Sequence, residues 1–175
     1  MQTGPKTTIQ MNSTAAVCPI GESTGKKNLQ EAKIPVLSCE GACIRGEIAR
    51  LAANMISRNE SFGRGCHGEL ITVPDSAIAK WIKAAEKVVL IDGCFLRCYG
   101  RILENMIAAD KLIQFDALSH YNKYTDIFDY EAVPEQERQT VAQSVAAWVL
   151  DSLENPVQNQ APACEASQAC SPCCG

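Results

Sequence analysis

Two pairs of cysteines in this chain share the spacing Cys-x3-Cys, and each pair follows a short run of Val, Leu and Ile residues. The first pair is Cys39 and Cys43, and the second is Cys94 and Cys98. Thiolates are preferred ligands of zinc and of iron–sulfur clusters, and they are also the nucleophiles of thiol chemistry. Because the same spacing occurs twice after the same kind of apolar run, we expect the four thiols to serve one shared site.

The apolar runs predict buried strands that end at the cysteines. Val88–Ile91 contains four apolar residues, three of them β-branched, and it leads directly into Asp92 and Gly93. A helical spacing of apolar residues follows each cysteine pair. We therefore expect Cys94 to lie where a strand gives way to a helix, with Cys98 on the same helix face because residues four apart share a face. The N–H groups at such a helix N-terminus would favour thiolates.

Asp92 and Gly93 form the turn between this strand and the second cysteine pair. The Asp92 carboxylate either caps the following helix or hydrogen-bonds a cysteine ligand of a metal, and the sequence leaves both alternatives open. Gly93 is expected to need a backbone conformation that is closed to a residue with a Cβ atom.

These motifs resemble the family of small bacterial and archaeal proteins with the DGC domain, which is named for Asp-Gly-Cys and described as zinc-binding. The resemblance covers roughly residues 34–130. It rests on these residues: Ser38-Cys39-x-Gly41-x-Cys43-x-x-Gly46, a single Cys66, and Ile91-Asp92-Gly93-Cys94-x3-Cys98. The resemblance implies a metal site formed by Cys39, Cys43, Cys66, Cys94 and Cys98.

Zinc is the expected metal, since it takes four ligands and the two cysteine pairs supply four thiolates. Cys66 makes a fifth candidate, and five thiols leave an iron–sulfur cluster as the alternative cofactor. His67, beside Cys66, is either a further ligand or a solvated loop residue.

Strands that alternate with helical segments predict an α/β fold with a small parallel sheet of about four strands in the order 2-1-3-4. In that order strands 1 and 3 are neighbours, and the crevice beyond their carboxyl ends is where such sheets bind ligands. The second strand is either Leu70–Val73 or a strand that ends near Cys66. The predicted domain spans residues 34–154.

Polar, apolar-poor segments flank this domain. Residues 1–33 are predicted to be a flexible arm, and residues 155–175 a flexible Cys-rich tail, because neither contains enough apolar side chains to form a core. Cys170, Cys173 and Cys174 are expected to be exposed thiols that act as additional ligands or exchange metal or electrons with the core.

Composition narrows the class of function. The chain of 175 residues has a net charge of −4 and lacks long basic or apolar runs, so neither nucleic-acid binding nor a membrane span is expected. Ten cysteines without a signal-peptide pattern indicate metal or redox chemistry in the cytoplasm, where disulfides are rare. No protein partner can be named.

The first hypothesis is therefore a cytosolic thiolate metal-binding protein with a role in metal sensing, storage or delivery. The alternative is a thiol-dependent reductase of a small oxyanion or disulfide. In that alternative Cys94 or Cys39 would be the nucleophile, and the tail cysteines would resolve the intermediate.

Overall fold

The computed structural model describes residues 6–123 and 127–155, which form an α/β fold with a four-stranded, all-parallel sheet. The strand order is β2-β1-β3-β4, so the predicted fold class and order are confirmed. The strands are β1 (Ile34–Ser38), β2 (Phe62–Arg64), β3 (Val88–Asp92) and β4 (Leu112–Asp116). The helices are α1 (Pro19–Gln30), α2 (Ile44–Ile56), α3 (His67–Thr72), α4 (Ala77–Ala84), α5 (Cys98–Leu103), α6 (Ala117–Tyr121) and α7 (Glu135–Glu154), with a 3-10 turn at Tyr130–Ala132.

Strand β3 lies in the middle of the sheet and is buried along its whole length. Val88 and Leu90 pack into the core that α3, α4 and α5 cover, whereas Val89 and Ile91 pack into the core that α2 and α7 cover. Successive side chains of a strand point to opposite faces, so a continuous apolar run is what a strand with helices on both sides requires.

Strand β2 settles the alternative that the sequence left open. The second strand is Phe62–Arg64, and it pairs with β1 through Ile34 and Phe62. The Leu70–Val73 alternative is wrong, because residues 67–72 form α3 and Leu70 is buried on that short helix. Cys66 consequently lies just beyond the carboxyl end of β2.

Residues 1–33 are predicted to be a flexible arm, but part of this segment is a helix, and the prediction is wrong for that part. Residues 6–18 are exposed and lack regular structure, but α1 packs against α4. A Cβ atom on Gly25 would lie 2.4 Å from the backbone carbon of Ala77, and Glu22 Oε1 accepts a 2.6 Å hydrogen bond from the Ala77 N–H at the start of α4. This helix packs through glycine contacts and one carboxylate. Its sequence therefore lacks the helical spacing of apolar residues by which a helix is usually recognised.

The prediction that a helix begins at Cys94 is also wrong. Residues 93–97 form a turn in which the Arg97 N–H donates to the Cys94 carbonyl at 3.0 Å, and α5 begins only at Cys98. Arg97 has a left-handed backbone (φ 47°, ψ 49°), which interrupts the helical path. Leu96, which the pattern assigned to the buried helix face, is 49% exposed.

In the described part of the chain, none of the helices has the length and apolar character needed to cross a lipid bilayer.

The docking of α1 gives a test of the corrected arm. We expect Gly25→Ala to lower the free energy of unfolding by about 1–3 kcal/mol, because the new methyl group would overlap the backbone of α4. The matched control is Ser23→Ala, an exposed position of the same helix, which should change stability by less than about 0.5 kcal/mol. Denaturant unfolding measures both, and equal stability of the two variants would contradict the docking.

Candidate thiolate site

The two cysteine-bearing turns meet at the carboxyl edge of the sheet, where β1 and β3 are paired. The Cys39 N–H donates to the Ile91 carbonyl at 2.8 Å, which extends the pairing of the two strands by one residue. A Cβ atom on Gly93 would lie 2.8 Å from the Arg45 carbonyl carbon and 3.0 Å from the Gly46 nitrogen. The turn after β3 therefore rests directly on the first turn of α2.

This contact changes the reason for glycine at position 93. Among the described residues no glycine has a positive φ, so the expectation that Gly93 needs a backbone conformation closed to other residues is wrong. Gly93 is instead required because the backbone of α2 occupies the space of a side chain. Gly46 is required for a similar reason, since a Cβ atom on it would lie 2.2 Å from the Gly41 carbonyl oxygen.

Cys43 is the cysteine with the most support for a thiolate. It is the N-cap residue of α2, and the groups that favour its thiolate are the backbone N–H groups of Gly46 and Arg45 and the Arg45 guanidinium. Burial opposes ionisation of this thiol, but these three donors outweigh burial, and the pKa of Cys43 is lowered. The thiol is half-buried, so it stays within reach of a ligand or reagent.

Cys39 is the first cysteine of the same motif, and its pKa is shifted in the opposite direction. Burial raises the pKa of the Cys39 thiol, and the negative charges of Asp92 and Cys98 add to this effect. The N–H groups of Gly41, at 3.3 Å from Cys39 Sγ, and of Gly93 only partly offset it. The sequence suggested Cys94 or Cys39 as the nucleophile of the reductase alternative, and the lowered pKa of Cys43 adds this thiol as a candidate.

The thiols of the two motifs are linked through the charges that act on them. Cys39 lies within electrostatic range of Cys98, whereas Cys43 and Cys94 both lie near the Arg45 guanidinium. Within residues 6–123 and 127–155, no three Cys, His, Asp or Glu side chains stand close enough together to hold a metal ion.

The remaining predicted site residues divide as follows. Cys66 is exposed at the N-cap of α3, beyond the end of β2. Cys170, Cys173 and Cys174 lie outside the described residues, so the predictions about the tail stay predictions.

Asp92 is 1% exposed at the end of β3. Its Oδ1 accepts a 3.4 Å hydrogen bond from the Gly100 N–H in the first turn of α5, which is the contact that the capping alternative describes. Oδ2 is buried without a partner among the described residues. Burial raises the pKa of Asp92 to about 6, while the Gly100 N–H and the charge of Arg97 act in the opposite direction.

His67 does not lie in a solvated loop. Its side chain is 8% exposed, and its ring packs against the Tyr99 ring of α5 with the centroids 4.3 Å apart. Burial, together with the nearby Arg64 charge, lowers the pKa of His67 to about 4, so the imidazole is neutral at pH 7. Nε2 has no hydrogen-bond partner in the described part. A neutral imidazole with an unpartnered nitrogen keeps the ligand alternative open.

The ends of β1 and β2 are joined by a polar network that the sequence analysis missed. The Arg64 guanidinium donates to Glu40 Oε1 and to Ser38 Oγ, each at 2.6 Å, and to the Val36 carbonyl at 3.1 Å. The network fixes the backbone on which Cys39 stands. An arginine at the last position of a three-residue strand is the signal that could have revealed it.

Arg45 was also missed. It is the second residue of α2, and the groups whose charge acts on it include Cys43, Cys94 and Tyr121. Burial favours loss of its charge, but the thiols outweigh burial and the pKa of Arg45 is raised. A basic residue two positions after a cysteine at a helix start was visible in the sequence.

Fold and site together define a class of protein: a parallel α/β domain with cysteines grouped where strand order reverses. A family model for the DGC domain matches residues 35–145, and the chain belongs to the DGC-domain family. The resemblance drawn from the cysteine motifs is thus confirmed. Neither the comparison with curated proteins nor that with solved structures found a match.

The contact at Gly93 predicts a stability loss that depends on position. We expect Gly93→Ala to lower the free energy of unfolding by about 1–3 kcal/mol, because its methyl group would overlap the backbone of Arg45 and Gly46. Gly68→Ala is the control, since a Cβ there would meet only Cys66 Sγ at an ordinary 3.8 Å. Denaturant unfolding in the presence of a chelator compares the two, and a smaller loss at Gly93 than at Gly68 would refute the close contact.

The opposite pKa shifts of the two thiols predict different pH profiles of alkylation. In reduced, metal-free protein, the rate at Cys43 should reach half its maximum at a lower pH than the rate at Cys39. A lowered pKa keeps the thiolate present as the pH falls, whereas a raised pKa removes it earlier. Iodoacetamide labelling followed by peptide mass spectrometry gives both midpoints, and comparing midpoints removes the effect of burial on the absolute rate. Midpoints in the reverse order would exclude the assigned donors.

Proposed function

We propose that this chain is a thiolate metal-binding protein, with zinc as its metal and Cys39, Cys43, Cys94 and Cys98 as its ligands. The observation that carries the proposal is the contact between the two cysteine-bearing turns. Gly93 packs against the backbone of Arg45, some fifty positions away in the chain, and this contact supports a site shared by the two Cys-x3-Cys motifs.

The donor set supports zinc in particular. Four thiolates complete the tetrahedral coordination that zinc prefers, and no oxygen ligand is needed. Cys39, Cys43 and Cys94 are half-buried, which excludes part of the competing water, while Cys98 is exposed. Among the described residues no three potential ligands stand close enough to hold an ion, so metal binding requires the two cysteine pairs to move closer together.

Cys66 is the fifth thiol of this edge and stands farther out, beyond β2. An iron–sulfur cluster is the alternative cofactor, since it also takes four cysteine ligands. Measuring iron and acid-labile sulfide beside zinc in anaerobically purified protein separates the two cofactors.

A role in sensing, storage or delivery of the metal fits the accessibility of the ligands. Exposed Cys98 allows an acceptor thiol to replace a ligand without unfolding the domain. The described cysteines are all free thiols, as suits the reducing cytoplasm.

A reductase is the second candidate because the pKa of the Cys43 thiol is lowered. The backbone N–H groups of α2 and the Arg45 guanidinium are a common means of activating a cysteine nucleophile. The two functions differ in a measurable way, because a reductase would turn over a disulfide substrate without stoichiometric metal.

Replacement of one ligand tests the metal site. Cys94→Ser should lose stoichiometric zinc and keep the metal-free fold, since Cys94 lies in a turn outside the helices and the sheet. The control is Cys18→Ser, an exposed cysteine at the N-cap of α1, which should bind as much zinc as the wild type. Elemental analysis and circular dichroism measure both properties. Equal zinc in the Cys94 variant would refute the shared site.

A further inference from the structure

The Arg64 side chain, at the last position of β2, is 25% exposed and has all five of its N–H groups engaged. The acceptors are Asn54 Oδ1 at 3.0 Å, the Val36 carbonyl at 3.1 Å, the Gly65 carbonyl at 3.3 Å, and Ser38 Oγ and Glu40 Oε1 at 2.6 Å each. These acceptors belong to β1, to α2 and to the segments that follow β1 and β2. Because the guanidinium is planar and rigid, it holds these segments at fixed positions relative to one another.

Two of the acceptors are the chain neighbours of Cys39. Ser38 precedes this cysteine and Glu40 follows it. The Ser38 hydroxyl also donates to Glu40 Oε1 at 2.9 Å, so Arg64, Ser38 and Glu40 form a closed triangle of hydrogen bonds. Ser38 is fully buried at the end of β1, and the triangle therefore ties Glu40 to the sheet.

The Cys39 thiol depends on the path of the chain through Glu40. The Cys39 N–H is bonded to the Ile91 carbonyl, and its sulfur accepts a 3.3 Å hydrogen bond from the Gly41 N–H. Glu40 lies between the two residues of this second bond. A fixed Glu40 consequently keeps the Gly41 N–H on the Cys39 sulfur.

The effect is specific to one thiol of the site. None of the five acceptors of Arg64 is next to Cys43 or Cys94 in the chain. Arg50, on α2, also makes an ion pair, but its partner is Glu47, with Nη2 and Oε2 2.7 Å apart. This second pair does not bond residues 38–41, and it therefore offers a matched control.

We propose that Arg64 is a positioning residue of the thiol site, which holds the Cys39 thiol in place by fixing Ser38 and Glu40 on either side of it. Both candidate functions use this thiol, as a metal ligand or as a nucleophile, so the role of Arg64 goes beyond the proposed function. Lysine cannot replace Arg64, because a single ammonium group does not reach acceptors on three segments at once.

The test measures alkylation of reduced, metal-free protein by iodoacetamide, followed by peptide mass spectrometry. Rates are compared on the high-pH plateau, where every thiol is ionised and the rate reports access to the sulfur. The quantity of interest is the rate at half-buried Cys39 divided by the rate at Cys43 in the same molecule. This ratio corrects for any general loosening of the fold.

Glu40→Ala should raise the ratio about tenfold, since loss of charge-assisted hydrogen bonds favours local opening around Cys39. Glu40→Gln keeps an acceptor oxygen and should stay near the wild-type ratio. Arg64→Lys should resemble Glu40→Ala, and the double variant should exceed neither single variant, because both changes break the same bond. Arg50→Met should leave the ratio unchanged.

Circular dichroism and denaturant unfolding check the fold of each variant. If Arg64→Lys does not fold, Glu40→Ala and Glu40→Gln carry the test, since Arg64 then keeps its bonds to Val36, Gly65 and Asn54. An unchanged ratio in Glu40→Ala, an equal rise in Glu40→Gln, or a wild-type ratio in Arg64→Lys overturns the positioning role. Absence of stoichiometric metal in the wild type overturns the proposed function but leaves this inference intact.

Discussion

The contact between Gly93 and the first turn of α2 is the constraint on which the site depends. The strand order makes β1 and β3 neighbours. If the turns that follow these strands carried side chains at their point of contact, their backbones would be held apart. Only a residue without a Cβ lets the backbone after β3 touch the Arg45 carbonyl. The glycine of the Asp-Gly-Cys motif is thus required for packing, and by allowing this packing it sets the position of the cysteine that follows it.

The sheet was predictable because its signal is local. A buried parallel strand needs a short run of β-branched and aliphatic residues, and β3 contains such a run. The two elements that the sequence misplaced depend on distant contacts instead. Helix α1 approaches α4 closely at Gly25. The left-handed Arg97 is held by Gln114 and Glu104, with 3.0 Å to Gln114 Oε1 and 2.6 Å to Glu104 Oε1. Neither contact leaves a periodic pattern in the chain.

In the site too, features with a local cause could be predicted from the sequence, and features that depend on distant contacts could not. That thiols would gather at one edge follows from cysteines placed at the ends of neighbouring strands. Which thiol ionises readily does not follow, since Cys39 and Cys43 belong to one motif but have pKa values shifted in opposite directions. The difference arises from where backbone N–H groups point and from how deeply each sulfur is buried, and both are set by α2 and by the turn at Gly93.

Three arginines lie among acidic residues at the carboxyl edge of the sheet, in a chain whose net charge is −4. Arg45, Arg64 and Arg97 all lie next to the carboxyl ends of strands, and α2 directs its positive N-terminus to the same place. Arg64 and Arg97 are engaged by Glu40 and by the Gln114–Glu104 pair. Arg45 differs from them, since among the described residues it has no ion pair with a carboxylate, and its charge acts on Asp116 and on thiols that are anions only when deprotonated or bound to metal. A cation placed in this way gains its full stabilising value when the thiols are ionised, so it favours the thiolate form that a metal ion needs.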